Sequence, residues 1–200
     1  MLYYNKNLSV HACAIVVNSV GILLAGNSGI GKSDLILKLL DRGHIFIADD
    51  LVVVYADNQC HNNHSSDYYI TSYNNYHNQE NKYYLYIESL GVINVNKYYS
   101  NHQTTLRHKL DLIINLMDDK EYSNITKIQT NDAIMQGASQ EPLHYQNILG
   151  KLVPQFNLVC SSNRPLELII EIMADYYKNS LHQDTDYKEF LYYHQRLITT

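Results

Sequence analysis

The run Leu23-Leu24-Ala25-Gly26-Asn27-Ser28-Gly29-Ile30-Gly31-Lys32-Ser33 sets an apolar strand, the spacing G-x-x-x-x-G-K-S/T and the start of an apolar helix in direct succession. Few sequences constrain a fold so tightly, because a strand must end where the glycines begin and a helix must open at the lysine. In this arrangement the glycines let backbone N–H groups turn inward around a polyphosphate, Lys32 reaches the outer phosphates as a point charge, and the Ser33 hydroxyl can ligate Mg²⁺. The helix that follows aims its positive end at the same anion. Ile22 to Ala25 supply the strand, and Leu35, Ile36, Leu39 and Leu40 supply the apolar helical face. The expected phosphate cradle is therefore Gly26, Asn27, Ser28, Gly29, Ile30, Gly31, Lys32 and Ser33, in an α/β chain.

A second signal lies just downstream. Arg42-Gly43-His44 puts cations and a stopping glycine at the end of the helix, and Ile45-Phe46-Ile47-Ala48 is a short buried strand that ends in Asp49-Asp50. At the carboxyl end of a parallel strand beside a cradle, one carboxylate can organise a Mg²⁺ shell and the other can take a proton from an attacking hydroxyl. The alternative is a turn that happens to be acidic.

A chain of 200 residues with 46% hydrophobic content can bury one α/β core, and a single domain over 1–200 is expected. No stretch approaches a membrane span and the start lacks a signal-peptide core, so a soluble, cytoplasmic protein with no membrane partner is expected. Cys13, Cys60 and Cys160 are scattered and suggest neither disulfides nor a zinc site. A net charge of −5 argues against a general nucleic-acid surface.

Along the chain, His11 to Val17 and Ile22 to Ala25 read as strands joined at Gly21, with Leu51 to Tyr55 extending the acidic strand. Residues 57–81 read as a long polar excursion with a weak hairpin around Tyr68 to Thr71, and His61, His64 and His77 within it lack metal-site spacing. Strands are expected at Tyr83 to Ile87, Val92 to Val95, Leu110 to Leu116 and Leu152 to Val159, with a short helix near Ala133. Leu166, Ile169, Ile170, Met173, Tyr176 and Tyr177 fall at helical spacing behind Pro165, and Asp184 to Leu197 reads as a last amphipathic helix, which puts the C-terminal helices at about 165–198.

Together these residues resemble the catalytic domain of the HPr kinase/phosphorylase family. The resemblance runs from Val10-His11-Ala12 through the cradle and Asp41-Arg42-Gly43-His44 to Ala48-Asp49-Asp50. It continues at Leu90-Gly91-Val92-Ile93-Asn94-Val95, Asn163-Arg164, Leu168-Ile169-Ile170-Glu171 and Tyr187 to Leu197, and so covers nearly the whole chain. It implies a P-loop fold like that of the phosphoenolpyruvate-carboxykinase-like proteins, with a mixed sheet and flanking helices, and typically a hexamer. It implies ATP and Mg²⁺ as cofactors and an HPr-type phosphocarrier as protein partner, whose seryl hydroxyl attacks the γ-phosphate. Many members also run the reverse phosphorolysis. Carried over, His11, Lys32, Asp49, Asp50 and Arg164 form the catalytic set, with Asp50 the proton acceptor, and Ser33, Asp50 and Glu88 the metal set. The family's separate N-terminal domain is expected to be absent, since the chain starts almost at His11.

The departures bear on activity. Tyr86 stands where the family signature has a metal-ligating Glu, and Glu88 stands where it has an Arg. Asn124 replaces a further Arg, and Ser161 a basic residue. Strand alternation keeps positions 86 and 88 on one face, which lets Glu88 serve the metal. A catalytically weakened nucleotide-binding relative and a small-molecule kinase are the other two readings.

Overall fold

The computed structural model describes residues 6–57, 67–78, 82–121, 123, 144–161 and 164–180. The strand ahead of the cradle, β3 (Val20–Gly26), lies inside a six-stranded mixed sheet. It pairs antiparallel with β2 (Cys13–Val17) and parallel with β10 (Leu112–Met117), which in turn pairs parallel with β12 (Lys151–Val159). The edges are β4 (Ile45–Ala48), antiparallel to β2, and β11 (His144–Ile148), antiparallel to β12. The β2–β3 hairpin turns on Asn18 and Ser19, whose positive φ values of 50° and 71° make a turn that matches the right-handed twist of the adjoining strands.

The acidic strand was expected to pair in parallel. It instead lies on the edge beside an antiparallel neighbour, yet runs in the same direction as β3, β10 and β12. The ends of all four strands therefore open on one rim of the sheet, which brings Asp49 to the cradle.

Every residue of β2 is buried, because the sheet is covered on both faces. Cys13, Ile15 and Val17 join a core with Ile22, Leu24, Leu35, Ile36 and Leu39, the last three on α1 (Lys32–Asp41), and with Met173 on α4 (Leu166–Ser180). Ala14 and Val16, on the opposite pleat, join Leu23, Ile47, Ile113, Val52, Val54 and Ile70 in a second core. The last three of those residues belong to a four-stranded antiparallel sheet of β1 (Asn7–His11), β5 (Leu51–Ala56), β6 (Tyr68–Ser72) and β9 (Arg107–Lys109), in the order β1-β5-β6-β9. Helices, mixed sheet and antiparallel sheet thus form three layers. The β7 (Tyr84–Ile87) and β8 (Gly91–Asn94) hairpin packs beside α1, and the short helices α2 (Tyr73–Asn78) and α3 (Val95–Tyr98) follow β6 and β8.

Two expected continuities break. The run from His11 to Val17 divides at Ala12 into β1 and β2, and the acidic strand stops at Ala48, with Leu51 starting a strand of the other sheet. The backbone crosses between sheets at both places. They are stitched together by Ala12 N–H donating to Asp50 O at 3.2 Å, while β1 and β5 pair from His11 opposite Leu51. In the polar excursion, Tyr68 to Ser72 is a strand between β5 and β9 rather than a hairpin of its own, and His77 sits in α2 against Tyr73 and Tyr76. His61, His64, the helix near Ala133 and the helix over 184–197 lie outside the described residues. Among the described residues, no helix is long and apolar enough to cross a membrane.

Candidate active site

The cradle begins where β3 runs out. Gly26 has φ 140°, and a Cβ there would sit 2.6 Å from Leu116 O, so only glycine lets the strand end this close to β10. Gly29 and Gly31 take the left-handed φ values of 78° and 98°, and Gly31 O accepts the first helical hydrogen bond, from Leu35 N–H at 3.0 Å. Lys32 is almost wholly buried. Its Nζ bends back over the loop and donates to Gly26 O at 2.8 Å and Asn27 O at 3.0 Å. The Asn27 side-chain amide donates to Glu121 Oε2 at 3.4 Å, just beyond the end of β10.

One residue along α1, the Ser33 hydroxyl lies 3.2 Å and 3.3 Å from the two oxygens of Asp49. The same carboxylate accepts the Cys13 thiol at 2.7 Å and the Tyr86 backbone N–H at 2.9 Å. The thiol is pushed well above its ordinary pKa, first by burial and then by the negative charge of Asp49. Asp50 faces elsewhere. Its φ is 67° and Leu51 N–H donates to Asp49 O at 2.8 Å, a tight γ-turn that points the side chain at His11, whose Nδ1 lies 2.9 Å from Asp50 Oδ1. Both partners of this pair are more than half exposed, at 54% and 76%.

These groups surround one cavity of about 430 Å³. Its floor is Ser28, Gly29, Gly31, Lys32, Ser33 and Asp34 from the cradle and α1, and its walls are His11, Cys13, Asp49, Asp50, Tyr86 and Glu88. Gly26, Asn27 and Ile30 belong to the loop but do not line the cavity. Arg164 does not line it either; it stands at the entry to α4, where its N–H donates to Ser161 O at 3.1 Å. Asn124 lies outside the described residues. Tyr86 and Glu88 both line the cavity, but β7 ends at Ile87, so Glu88 is placed by the turn that follows and not by strand alternation. The metal set expected from the sequence paired Ser33 with Asp50, whereas the carboxylate within reach of Ser33 is Asp49. Cys13, Asp34 and the Tyr86 backbone amide are groups at the cavity that sequence reasoning missed. For Cys13 the available signal was its place two residues after His11.

The profile of the HPr Serine kinase C-terminal domain matches residues 3–193. The chain belongs to this family. A Fusobacterium nucleatum protein provisionally named HPr kinase/phosphorylase is 30% identical over 174 residues, 86% of this chain and 24% of that protein. The HPr kinase/phosphorylase of Lactobacillus acidophilus is 27% identical over 169 residues, 84% of this chain and 46% of the relative. The chain thus spans between a quarter and a half of the length of these curated relatives. Among solved structures, the Hpr(Ser) kinase/phosphatase from Coxiella burnetii superposes with a TM-score of 0.66 at 23% identity, over 88% of this chain and 99% of that one. That likeness carries the fold: the mixed sheet with flanking helices is the architecture of the HPr kinase catalytic domain.

Proposed function

We propose that this domain is an ATP- and Mg²⁺-dependent protein serine kinase acting on HPr or a related phosphocarrier protein, with the reverse phosphorolysis available at the same site. The observation that carries this reading is the division of labour across one cavity, with Ser33 and Asp49 paired on the cradle side and His11 and Asp50 paired at the mouth.

The wall suits the groups proposed. Backbone N–H groups from Ser28 to Ser33 and the Lys32 ammonium offer a polyphosphate charge-assisted hydrogen bonds. Ser33 and Asp49 offer a hard cation two oxygen ligands. Among the described residues, no set of three His, Cys, Asp or Glu side chains is arranged to enclose a metal. That fits Mg²⁺, which binds through one or two carboxylates and keeps its other positions for phosphate oxygens and water. Bound there, Mg²⁺ would neutralise charge gathering on the transferring phosphoryl group. The remaining work falls to the mouth. Asp50, exposed and acceptor-only when ionised, takes the proton of the seryl hydroxyl, and His11 holds Asp50 toward the cavity. In the reverse direction Asp50 returns that proton.

By resemblance, the domain works in the cytoplasm as a homo-oligomer, a hexamer. A second reading, a catalytically weakened relative, is favoured by one observation: Tyr86 lines the cavity where the family's signature has a carboxylate, which leaves Glu88, another lining residue, to supply it. Incubating the protein with labelled ATP, Mg²⁺ and purified HPr decides between the two. Label on a seryl residue of HPr at about 1–100 s⁻¹, the usual range of protein kinases, supports the active kinase. ATP binding without transfer, with transfer gained in Tyr86→Glu, supports the weakened relative.

A further inference from the structure

The Asp49 carboxylate is held by donors from three separate elements: the Cys13 thiol on β2, the Ser33 hydroxyl on α1 and the Tyr86 N–H on β7. A carboxylate has about four lone-pair positions over its two oxygens. Ser33 lies between both oxygens, Tyr86 holds Oδ2 and Cys13 holds Oδ1. A cation at Ser33 and Asp49 would take lone pairs of the hydroxyl and of the carboxylate, so Ser33 would itself be a ligand, and Tyr86 N–H and the Cys13 thiol are the donors that stand behind the carboxylate. Tyr86 N–H and the Cys13 thiol would then be what fixes the rotation of the carboxylate.

A buried cysteine is most often a small apolar filler. Cys13 does pack in the helix-side core, at 1% exposure, but the residue also lines the cavity and its sulfur meets a charged acceptor at 2.7 Å. A filler gains nothing from that contact, and an apolar side chain there would leave Oδ1 facing hydrocarbon, at a desolvation cost. We propose that Cys13 is a positioning residue: its S–H donates to Asp49 Oδ1 and so sets which edge of the carboxylate is presented to the cation. This rests on the reading of Asp49 and Ser33 as the cation pair. Donors behind a metal-ligating carboxylate typically change metal affinity about 10- to 100-fold when removed.

The test uses the full chain and two variants. Cys13→Val keeps the site filled with an apolar side chain, one heavy atom larger, and removes the donor, whereas Cys13→Ser keeps a donor of the same direction. Calorimetric titration of ATP is carried out with Mg²⁺ absent and over a range of Mg²⁺ concentrations, with thermal unfolding as the control for folding. The expected result is that Cys13→Val needs about 10-fold more Mg²⁺ or beyond to reach half of the Mg²⁺-dependent affinity. Its Mg²⁺-free ATP affinity stays that of wild type, and Cys13→Ser restores the Mg²⁺ requirement to within about threefold. If Cys13→Val needs no more Mg²⁺ than wild type, the positioning role is overturned while the cation pair stands. If Cys13→Ser is as impaired as Cys13→Val, the thiol acts by packing and the role is likewise overturned. If wild type itself binds ATP equally with and without Mg²⁺, the cation reading of Asp49 fails first and the Cys13 role falls with it.

Discussion

Asp49 and Asp50 are chain neighbours with opposite surroundings, and the roles proposed for them rest on that difference. Asp49 is partly buried under three donors, while Asp50 is 76% exposed opposite His11. If Asp50 accepts the proton, Asp50→Asn leaves calorimetric ATP affinity near wild type and slows transfer to HPr by about 10²-fold or more. If Asp49→Asn slows transfer and leaves Mg²⁺-dependent binding intact, the two roles are exchanged. Lys32→Ala is expected to abolish ATP binding, because Lys32 supplies the side-chain cation on the cavity floor; equal affinity in wild type and variant would refute that. The residues of the cradle were legible because their geometry follows from local spacing. The sorting of the two aspartates was not, because it depends on a single left-handed φ at Asp50, a conformation that Asp tolerates without requiring it. Cys13 offered only its place two residues after His11, and its contact was illegible for a related reason: the acceptor is 36 positions away in sequence.

Among elements, α1 is defined at both ends. Gly31 opens it, and at its close Gly43, with φ 92°, donates to Leu40 O while His44 N–H donates to Leu39 O, the glycine stop expected from Arg42-Gly43-His44. The same three residues anchor α4, since Arg42 Nε and His44 Nε2 meet Glu171 Oε1 at 2.6 Å and 2.7 Å. The hydrogen bond from Arg42, helped by His44, pulls the Glu171 carboxyl from 4.5 down to about 2. A carboxyl lowered by folding adds stability that is complete above the unfolded pKa and is lost as pH falls through the folded one. Glu171→Gln is therefore expected to lower the Tm by about 2–4 °C near neutrality, the effect of roughly 1 kcal/mol in a chain of this size. The gap between variant and wild type should shrink from pH 4.5 toward pH 2; a gap that stays constant in acid would show that the contact adds nothing through its charge. The periodic elements β3, α1, β10, β12 and α4 were legible, because burial on one face or two writes itself into the apolar pattern. The breaks at Ala12 and after Ala48 were not, since a strand that changes sheets stays apolar throughout and periodicity records burial rather than partner.

At the scale of the whole molecule, the two sheets come into close contact at Gly21. A Cβ there would lie 1.9 Å from Lys109 O and 2.7 Å from His108 Nδ1, across the gap from β3 to β9. Asp111 locks the contact, donating its N–H to Gly21 O and accepting Gly21 N–H on its carboxylate, each at 2.9 Å. Gly21→Ala should force the layers apart and cost about 1–3 kcal/mol. That is read as a lower denaturation midpoint at an unchanged m-value, and an unchanged midpoint would show that the layers adjust freely. The stitch between Ala12 and Asp50 has a mechanical consequence. His11 is the last residue of β1 before one crossing and Asp50 the last before β5 at the other, so the pair spans the joint between the two layers. A tilt of one sheet on the other would therefore act on the mouth of the cavity as spreading the arms of tweezers acts on their jaws, by changing the gap between an imidazole and a carboxylate.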